Sequence, residues 1–137
     1  MEQRQTSKQS NRTKQMFYNN WYCDRNLNGW HRMFLGGKNA QIPETCVGQT
    51  FRCGTIFPMW INGTHPTQSD SIVSRPVCGY MSGSCCGYSS NPIKVKLCYE
   101  SYYVYKLESV SRCMLAYCTG TVIFQSIEGS VNVLRIG

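Results

Sequence analysis

The amino-acid sequence predicts a small, β-rich, loop-rich single domain stapled by disulfide bonds. Its length, its cysteine content and its short apolar runs support this fold class. A chain of 137 residues fits one hydrophobic core, because single cores commonly span about 100–150 residues. Nine cysteines in so short a chain are typical of secreted and cell-surface proteins, where disulfide bonds persist.

Short apolar runs separated by glycine, proline, asparagine and serine fill the chain from about residue 17 onward, without a helical repeat over three turns. The clearest strands are 93–98 and 102–107, and their three-residue connection favours a hairpin. Apolar and basic residues alternate along the first strand, which predicts one apolar and one basic face. Further short strands are expected at 30–35 and 114–117.

Three segments divide the chain. Residues 1–16 are polar and basic and are expected to be disordered, residues 17–119 form the module, and residues 120–137 are either an extra hairpin or a non-native extension. The first 15 residues lack the apolar stretch of a signal peptide, so the cysteine content favours a truncated amino terminus over a cytosolic protein. No apolar run approaches the ~20 residues that span a bilayer, so no membrane insertion is expected.

The net charge of +7 raises the question of nucleic-acid binding. The head contributes +3 of it, and the other basic residues are scattered along the sequence. Binding of DNA or RNA requires a basic face with stacking aromatic side chains, and no cluster in the sequence predicts one. We therefore expect no nucleic-acid partner, although a basic nucleic-acid-binding domain remains an alternative.

Metal binding and thiol catalysis are two other uses of cysteine. Zinc sites usually draw on several closely spaced cysteines or histidines, whereas here the close pair Cys113 and Cys118 stands alone and the two histidines lie far apart. No metal and no cofactor are expected. A free cysteine with His31 or His65 as its base is the enzyme alternative, but nothing singles out one cysteine. No catalytic residue is assigned, and we expect that the protein is not an enzyme.

Disulfide bonds remain as the best use of the cysteines. The neighbours Cys85 and Cys86 cannot comfortably bond to each other, but in an extended strand their side chains point to opposite faces and can link two other segments. Nine cysteines leave one unpaired, and eight alone allow on the order of a hundred pairings. The residues by themselves therefore leave the connectivity open.

Several sequence blocks carry a family resemblance. They are Cys-Asp at 23–24, Leu-Asn-Gly-Trp at 27–30, Glu-Thr-Cys-Val at 44–47, Pro-Met-Trp-Ile-Asn-Gly-Thr-His-Pro at 58–66, Ser-Ile-Val-Ser-Arg at 71–75, Ser-Gly-Ser-Cys-Cys at 82–86, Val-Lys-Leu-Cys at 95–98, Tyr-Tyr-Val-Tyr at 102–105 and Leu-Ala-Tyr-Cys at 115–118. In this order they resemble the eight-cysteine module that precedes the zona-pellucida domain in uromodulin and in the zymogen-granule membrane glycoprotein. The head and the tail match nothing in that module.

The resemblance implies an extracellular, non-catalytic recognition or glycan-presenting module, secreted or on the cell surface, taken from a larger mosaic glycoprotein. It also implies four disulfide pairs, which are Cys23 with Cys113, Cys46 with Cys85, Cys53 with Cys118, and Cys78 with Cys86. The remaining Cys98 is odd, because its family partner would lie upstream of the matched region. Cys98 is thus a candidate for an intermolecular disulfide.

Glycosylation is expected at Asn62, where glycine and threonine complete the Asn-X-Thr acceptor pattern. Asn11 also satisfies the pattern, but it lies in the head. The acceptor site that follows Tyr-Tyr-Val-Tyr in uromodulin is replaced here by Lys106-Leu107-Glu108, which cannot be glycosylated. The resemblance implies lectins or microbial adhesins that bind the N-glycan, or other extracellular proteins, as partners.

The neighbours of the aromatic residues indicate which of them lie in the core. Trp30 and Trp60 lie among apolar residues and are expected to support the core. Tyr80 and Tyr88 flank the double cysteine among glycine and serine, and they are the candidate exposed binding residues.

Overall fold

The fold was determined as a computed structural model that describes the backbone of residues 5–6, 13–15, 21–35, 37–124 and 131–135, and the side chains of 22–35 and 37–120. Its elements are all strands: β1 (Gln5–Thr6), β2 (Thr13–Gln15), β3 (Trp21–Cys23), β4 (Gly29–Leu35), β5 (Lys38–Gln41), β6 (Phe57–Ile61), β7 (Ile72–Met81), β8 (Ser84–Cys98), β9 (Tyr102–Leu107), β10 (Leu115–Tyr117), β11 (Gly120–Phe124) and β12 (Val131–Arg135). No helix occurs among these described residues, which confirms the predicted β-rich, disulfide-stapled single domain.

Ten of the described strands form one sheet in the order β10-β6-β7-β8-β9-β4-β5-β11-β12, with β1 paired to β4. All neighbours in it are antiparallel except β10 and β6, which run parallel. The strands β2 and β3 form a separate pair. The long β7 and β8 pair with two register irregularities.

The predicted hairpin is present as the end of β8, a three-residue connection and β9. The strand expected near Trp30 is β4, and the one expected before Cys118 is β10. In the tail, β11 pairs with β12 and also with β5, so the backbone of this segment extends the main sheet. Two short strands, β1 and β2, are described within the head, and the rest of the head lies outside the described residues.

The hydrophobic core lies against one side of β4, β8 and β9, where buried residues alternate with outward-facing ones. Its largest fully buried apolar side chains are Leu27, Met33, Leu35, Ile42, Met59, Ile61, Ile93, Leu107 and Leu115, together with Tyr105 and Tyr117. The predicted alternation is observed in β8, because Ile93 and Val95 are buried and Lys94 is exposed. The period of two thus sends successive residues to the core and to solvent.

Candidate glycan-bearing site

The loop between β6 and β7 begins with the acceptor pattern. Asn62 follows the last residue of β6, is exposed, and donates its backbone N–H to the carbonyl oxygen of Pro76 in β7 at 2.9 Å. Thr64, which carries the required hydroxyl, is also exposed. The side chains of the acceptor pattern therefore face solvent, while its first residue is tied to the sheet.

A buried hydrogen-bond network holds the other end of this loop. The carboxylate of Glu44 accepts the backbone N–H of His65 at 2.9 Å and lies 2.7 Å from His65 Nδ1. His65 Nε2 lies 2.7 Å from the hydroxyl of Tyr105, which also accepts the backbone N–H of Ile42 at 3.1 Å. Because a carboxylate only accepts, Nδ1 carries the proton and the Tyr105 O–H donates to Nε2.

The electrostatics of this network favour a neutral imidazole. Burial lowers the pKa of His65 below its ordinary value of 6.5, and Arg75 lowers it further, whereas the hydrogen bond and the charge of Glu44 oppose this shift. Burial also raises the pKa of Tyr105 well above 10.0, so its hydroxyl keeps its proton. The groups are arranged to hold the loop and not to exchange protons with a substrate.

Two further contacts fix the middle of the loop. Arg75 donates from Nε to the carbonyl oxygen of Thr64 at 2.6 Å, and the hydroxyl of Tyr103 donates to the carbonyl oxygen of Pro66 at 3.2 Å. The Tyr103 ring lies 4.5 Å from the His65 ring, centroid to centroid. The backbone of the loop is thus restrained along its length, and the Asn62 side chain remains exposed.

The cysteines form four disulfide bonds, which link Cys23 to Cys113, Cys46 to Cys85, Cys53 to Cys118, and Cys78 to Cys86. These are the pairs that the family resemblance implies, and their Cα–Cα distances of 4.8–5.6 Å are typical of disulfides. Cys85 and Cys86 connect to different segments, as expected for neighbours in an extended strand. Cys98 is the free cysteine and is half-buried.

Comparison with known proteins agrees with this architecture. The family model of the uromodulin-like domain with eight cysteines matches residues 31–119. The chain belongs to the uromodulin-like domain family. Uromodulin of Mus musculus is 43% identical over 114 residues, which cover 83% of this chain and 17% of that protein. The pancreatic secretory granule membrane major glycoprotein GP2 of Homo sapiens is 45% identical over 97 residues, which cover 71% of this chain and 18% of that protein.

The family assignment decides the general class. Uromodulin-like domains occur in secreted and cell-surface glycoproteins and are non-catalytic, so this module is extracellular and is not an enzyme. The chain spans less than a fifth of the length of both relatives, at 17% and 18%. Among the residues that the structure describes, none belongs to a helix that could span a membrane.

The tyrosines beside the double cysteine are half-buried in this uromodulin-like domain, which corrects the expectation that they are exposed. Tyr88 packs partly on the core, and its hydroxyl lies 3.1 Å from the hydroxyl of Ser111 and accepts the Ser111 backbone N–H at 3.2 Å. It therefore anchors a neighbouring loop. Tyr80 lines an open depression of ≈ 580 Å³ together with residues 48–52 and Gly83, so of the two it is the one placed to meet a ligand.

The two predicted core tryptophans of the uromodulin-like domain differ from each other. Trp60 is buried and donates its Nε1–H to the carbonyl oxygen of Cys85 at 2.8 Å, as expected of a residue that supports the core. Trp30 is 37% exposed, so its expected core position is wrong. The strand period explains the error, since His31 and Met33 face the core and Trp30 must face outward with Arg32.

The histidines do not meet the free cysteine. His31 is buried on the inward side of β4, with Nε2 2.7 Å from the carbonyl oxygen of Asn28, and His65 is held by Glu44 and Tyr105. Cys98 lies on the outward side of β8, because its neighbour Leu97 is buried. No cluster of metal-binding side chains is present among the described residues. Asn11, the second candidate acceptor, lies outside the described residues.

Proposed function

We propose that this uromodulin-like domain presents an N-linked glycan on Asn62 to lectins or microbial adhesins, as part of a larger extracellular glycoprotein. The observation that carries the proposal is the exposure of Asn62 and Thr64 on a loop whose backbone is restrained on both sides. A glycan attached there leaves the protein from a fixed position. Its sugars are then accessible to a receptor, and the core is undisturbed.

Local chemistry supports Asn62 over other asparagines. Asn91 is followed by proline, which excludes it as an acceptor. At position 106 a lysine is exposed on β9, so the strand that follows the Tyr-Tyr-Val-Tyr block carries no glycan. Recognition through N-linked sugar on the module therefore depends on the loop after β6.

Expression in a secreting eukaryotic cell tests the proposal. Thr64→Ala destroys the acceptor pattern and Thr64→Ser preserves it, and neither change touches the backbone carbonyl of Thr64 that accepts from Arg75. We expect the alanine variant to lose the mass that a glycosidase removes from the parent, and the serine variant to keep it. If the Ala and Ser variants migrate alike with and without glycosidase, Asn62 carries no glycan and the presentation role is wrong.

We also propose that Cys98 forms an intermolecular disulfide with another extracellular chain. Support comes from its odd number and from its half-buried place on the outward side of the sheet, opposite Tyr102 in β9. Non-reducing electrophoresis of the secreted protein should show a species that reductant dissolves and that Cys98→Ser lacks. A secreted parent that is wholly monomeric, with a titratable thiol, would contradict this pairing.

We propose residues 17–119 as the module itself, with the head and tail outside it. The support is the resemblance of the sequence blocks, which ends near Thr119. Limited proteolysis of the secreted chain should therefore trim the first 16 residues and the tail before any bond within 17–119. Protection of the tail that equals that of β8 would instead assign β11 and β12 to the module.

A further inference from the structure

A surface that the sequence did not predict lies on the outward side of β8, β9 and β4. We call it the outer basic face and define it by Arg32, Lys94, Lys96 and Lys106, together with the aromatic residues Trp30 and Tyr102. All six belong to the outward-facing positions of their strands, where buried residues alternate with them. The four cations come from three strands that lie far apart in the sequence.

The strand register brings these cations together. Lys106 of β9 lies directly opposite Lys94 of β8 on one side and Trp30 of β4 on the other. One step along the strands, Val104 lies opposite both Lys96 and Arg32. Neighbouring strands are ~4.8 Å apart, so the cations form two adjacent rows on one sheet surface.

This arrangement does little for the stability of the fold. Like charges directly opposite each other in a sheet, such as Lys94 and Lys106, are destabilising. The described ion pair on the face joins Lys96 to Asp70 at 3.8 Å, with the Asp70 side chain 79% exposed, and exposed pairs of this kind contribute little. A polyanion laid across the rows would relieve the repulsion.

The aromatic residues give the face a shaped component besides charge. The Arg32 guanidinium carbon lies 3.6 Å from the centroid of the Tyr102 ring, and Arg32 donates from Nε and Nη2 to Asn39 Oδ1 at 3.0 and 2.6 Å. The guanidinium plane is thereby held against the sheet. Trp30, 37% exposed beside Lys106, offers a flat apolar surface at the end of the first row.

We propose that the outer basic face binds an acidic polysaccharide, a chain of sulfated or carboxylated sugars. The lysine ammonium groups pair with the sulfates or carboxylates and release their counterions, as basic surfaces do on any polyanion. The exposed ring of Trp30 packs against the C–H face of a sugar. Because the module is extracellular, a polysaccharide is a more accessible polyanion than a nucleic acid. The surface uses none of the residues of the Asn62 loop and does not rest on the glycan proposal.

Binding of heparin to the full chain, folded with its disulfides, tests the inference. Lys94→Gln with Lys106→Gln is the test variant, and Arg25→Gln with Lys38→Gln is the matched control, since both replace two exposed basic residues. We expect the test variant to lose about tenfold or more in heparin affinity at moderate salt, and the control to lose less than about threefold. Equal losses in the two variants would reduce the interaction to net charge and overturn the proposed site.

Two further measurements separate the sugar from other polyanions. Trp30→Ala should weaken heparin binding at every salt concentration, because the ring contributes contact and not charge, whereas Phe51→Ala, at an exposed residue outside the face, should not. A single-stranded DNA oligonucleotide and polyglutamate of matched charge serve as competitors. If either binds more tightly than heparin, the polysaccharide assignment is wrong and the face belongs to a nucleic acid or an acidic protein.

Discussion

The two sides of the β8-β9-β4 unit contrast sharply, although their residues alternate along the same strands. On the inward side, Tyr105 is fully buried and joins a closed hydrogen-bond network with His65. On the outward side, the next residue, Lys106, is exposed and opposes another lysine. One strand can thus serve stability and recognition at once, because its period of two separates the residues that serve each.

The largest expected effect on the inward side concerns the disulfide between Cys23 and Cys113. Its sequence separation of 90 gives a loop-closure stabilisation of ~4–5 kcal/mol in the chain-entropy model. The separation of 8 between Cys78 and Cys86 gives only ~2–3 kcal/mol by the same relation. Replacing each pair by serine and measuring denaturant midpoints should show the first variant as the less stable. The reverse order would mean that closure of the long loop does not govern stability.

Tyr105→Phe breaks the inward network without changing the shape of the core. It leaves His65 Nε2 and the Ile42 N–H without the hydroxyl that both use, and we expect a loss of ~1–3 kcal/mol because buried polar groups become unsatisfied. Tyr102→Phe on the outward side is the matched control and should change the free energy of unfolding by less than ~0.5 kcal/mol. Similar losses in both variants would remove the distinction between the two sides.

The sequence predicted much of this contrast but not its composition. Alternation in 93–98 and the short connection after it were enough for the hairpin, because both are local. The Glu44, His65 and Tyr105 network joins residues 21 and 40 positions apart, and no local pattern reports such contacts. Likewise, scattered basic residues became one face only through the register of β8, β9 and β4.

Trp30 illustrates the same limit on a single residue. Its apolar neighbours suggested burial, but neighbours in a strand face opposite ways, so composition without phase misassigns it. The buried His31 that follows fixes the phase of β4, and that signal was available only once the strand boundaries were known. The cysteine pairs, in contrast, came from the family resemblance, since the spacing alone left them open.

Acidification should weaken the inward network in a measurable way. The pKa of His65 is lowered in the folded state, chiefly by burial, so below pH 6.5 the unfolded chain takes up the proton first. The contribution of neutral His65 is therefore present above pH 6.5 and is lost as the pH falls toward the folded pKa. Denaturant titrations of the parent and of His65→Gln at pH 8 and 5.5 isolate this histidine. A parent that loses no more stability than the variant over this range would contradict the predicted direction.

The smallest effect concerns the outward side, and its sign is the informative part. Lys94→Glu replaces repulsion with attraction to Lys106, its cross-strand partner, and should raise the free energy of unfolding by ~0.5 kcal/mol at low salt. Lys94→Gln removes the repulsion alone and should give a smaller gain, and 1 M salt should erase most of the difference between the two variants by screening. Both variants should bind heparin more weakly than the parent, because stability and polyanion binding place opposite demands on this position. Loss of stability in Lys94→Glu would mean that Lys94 has a structural partner, and the outer basic face would then owe its charge to the fold.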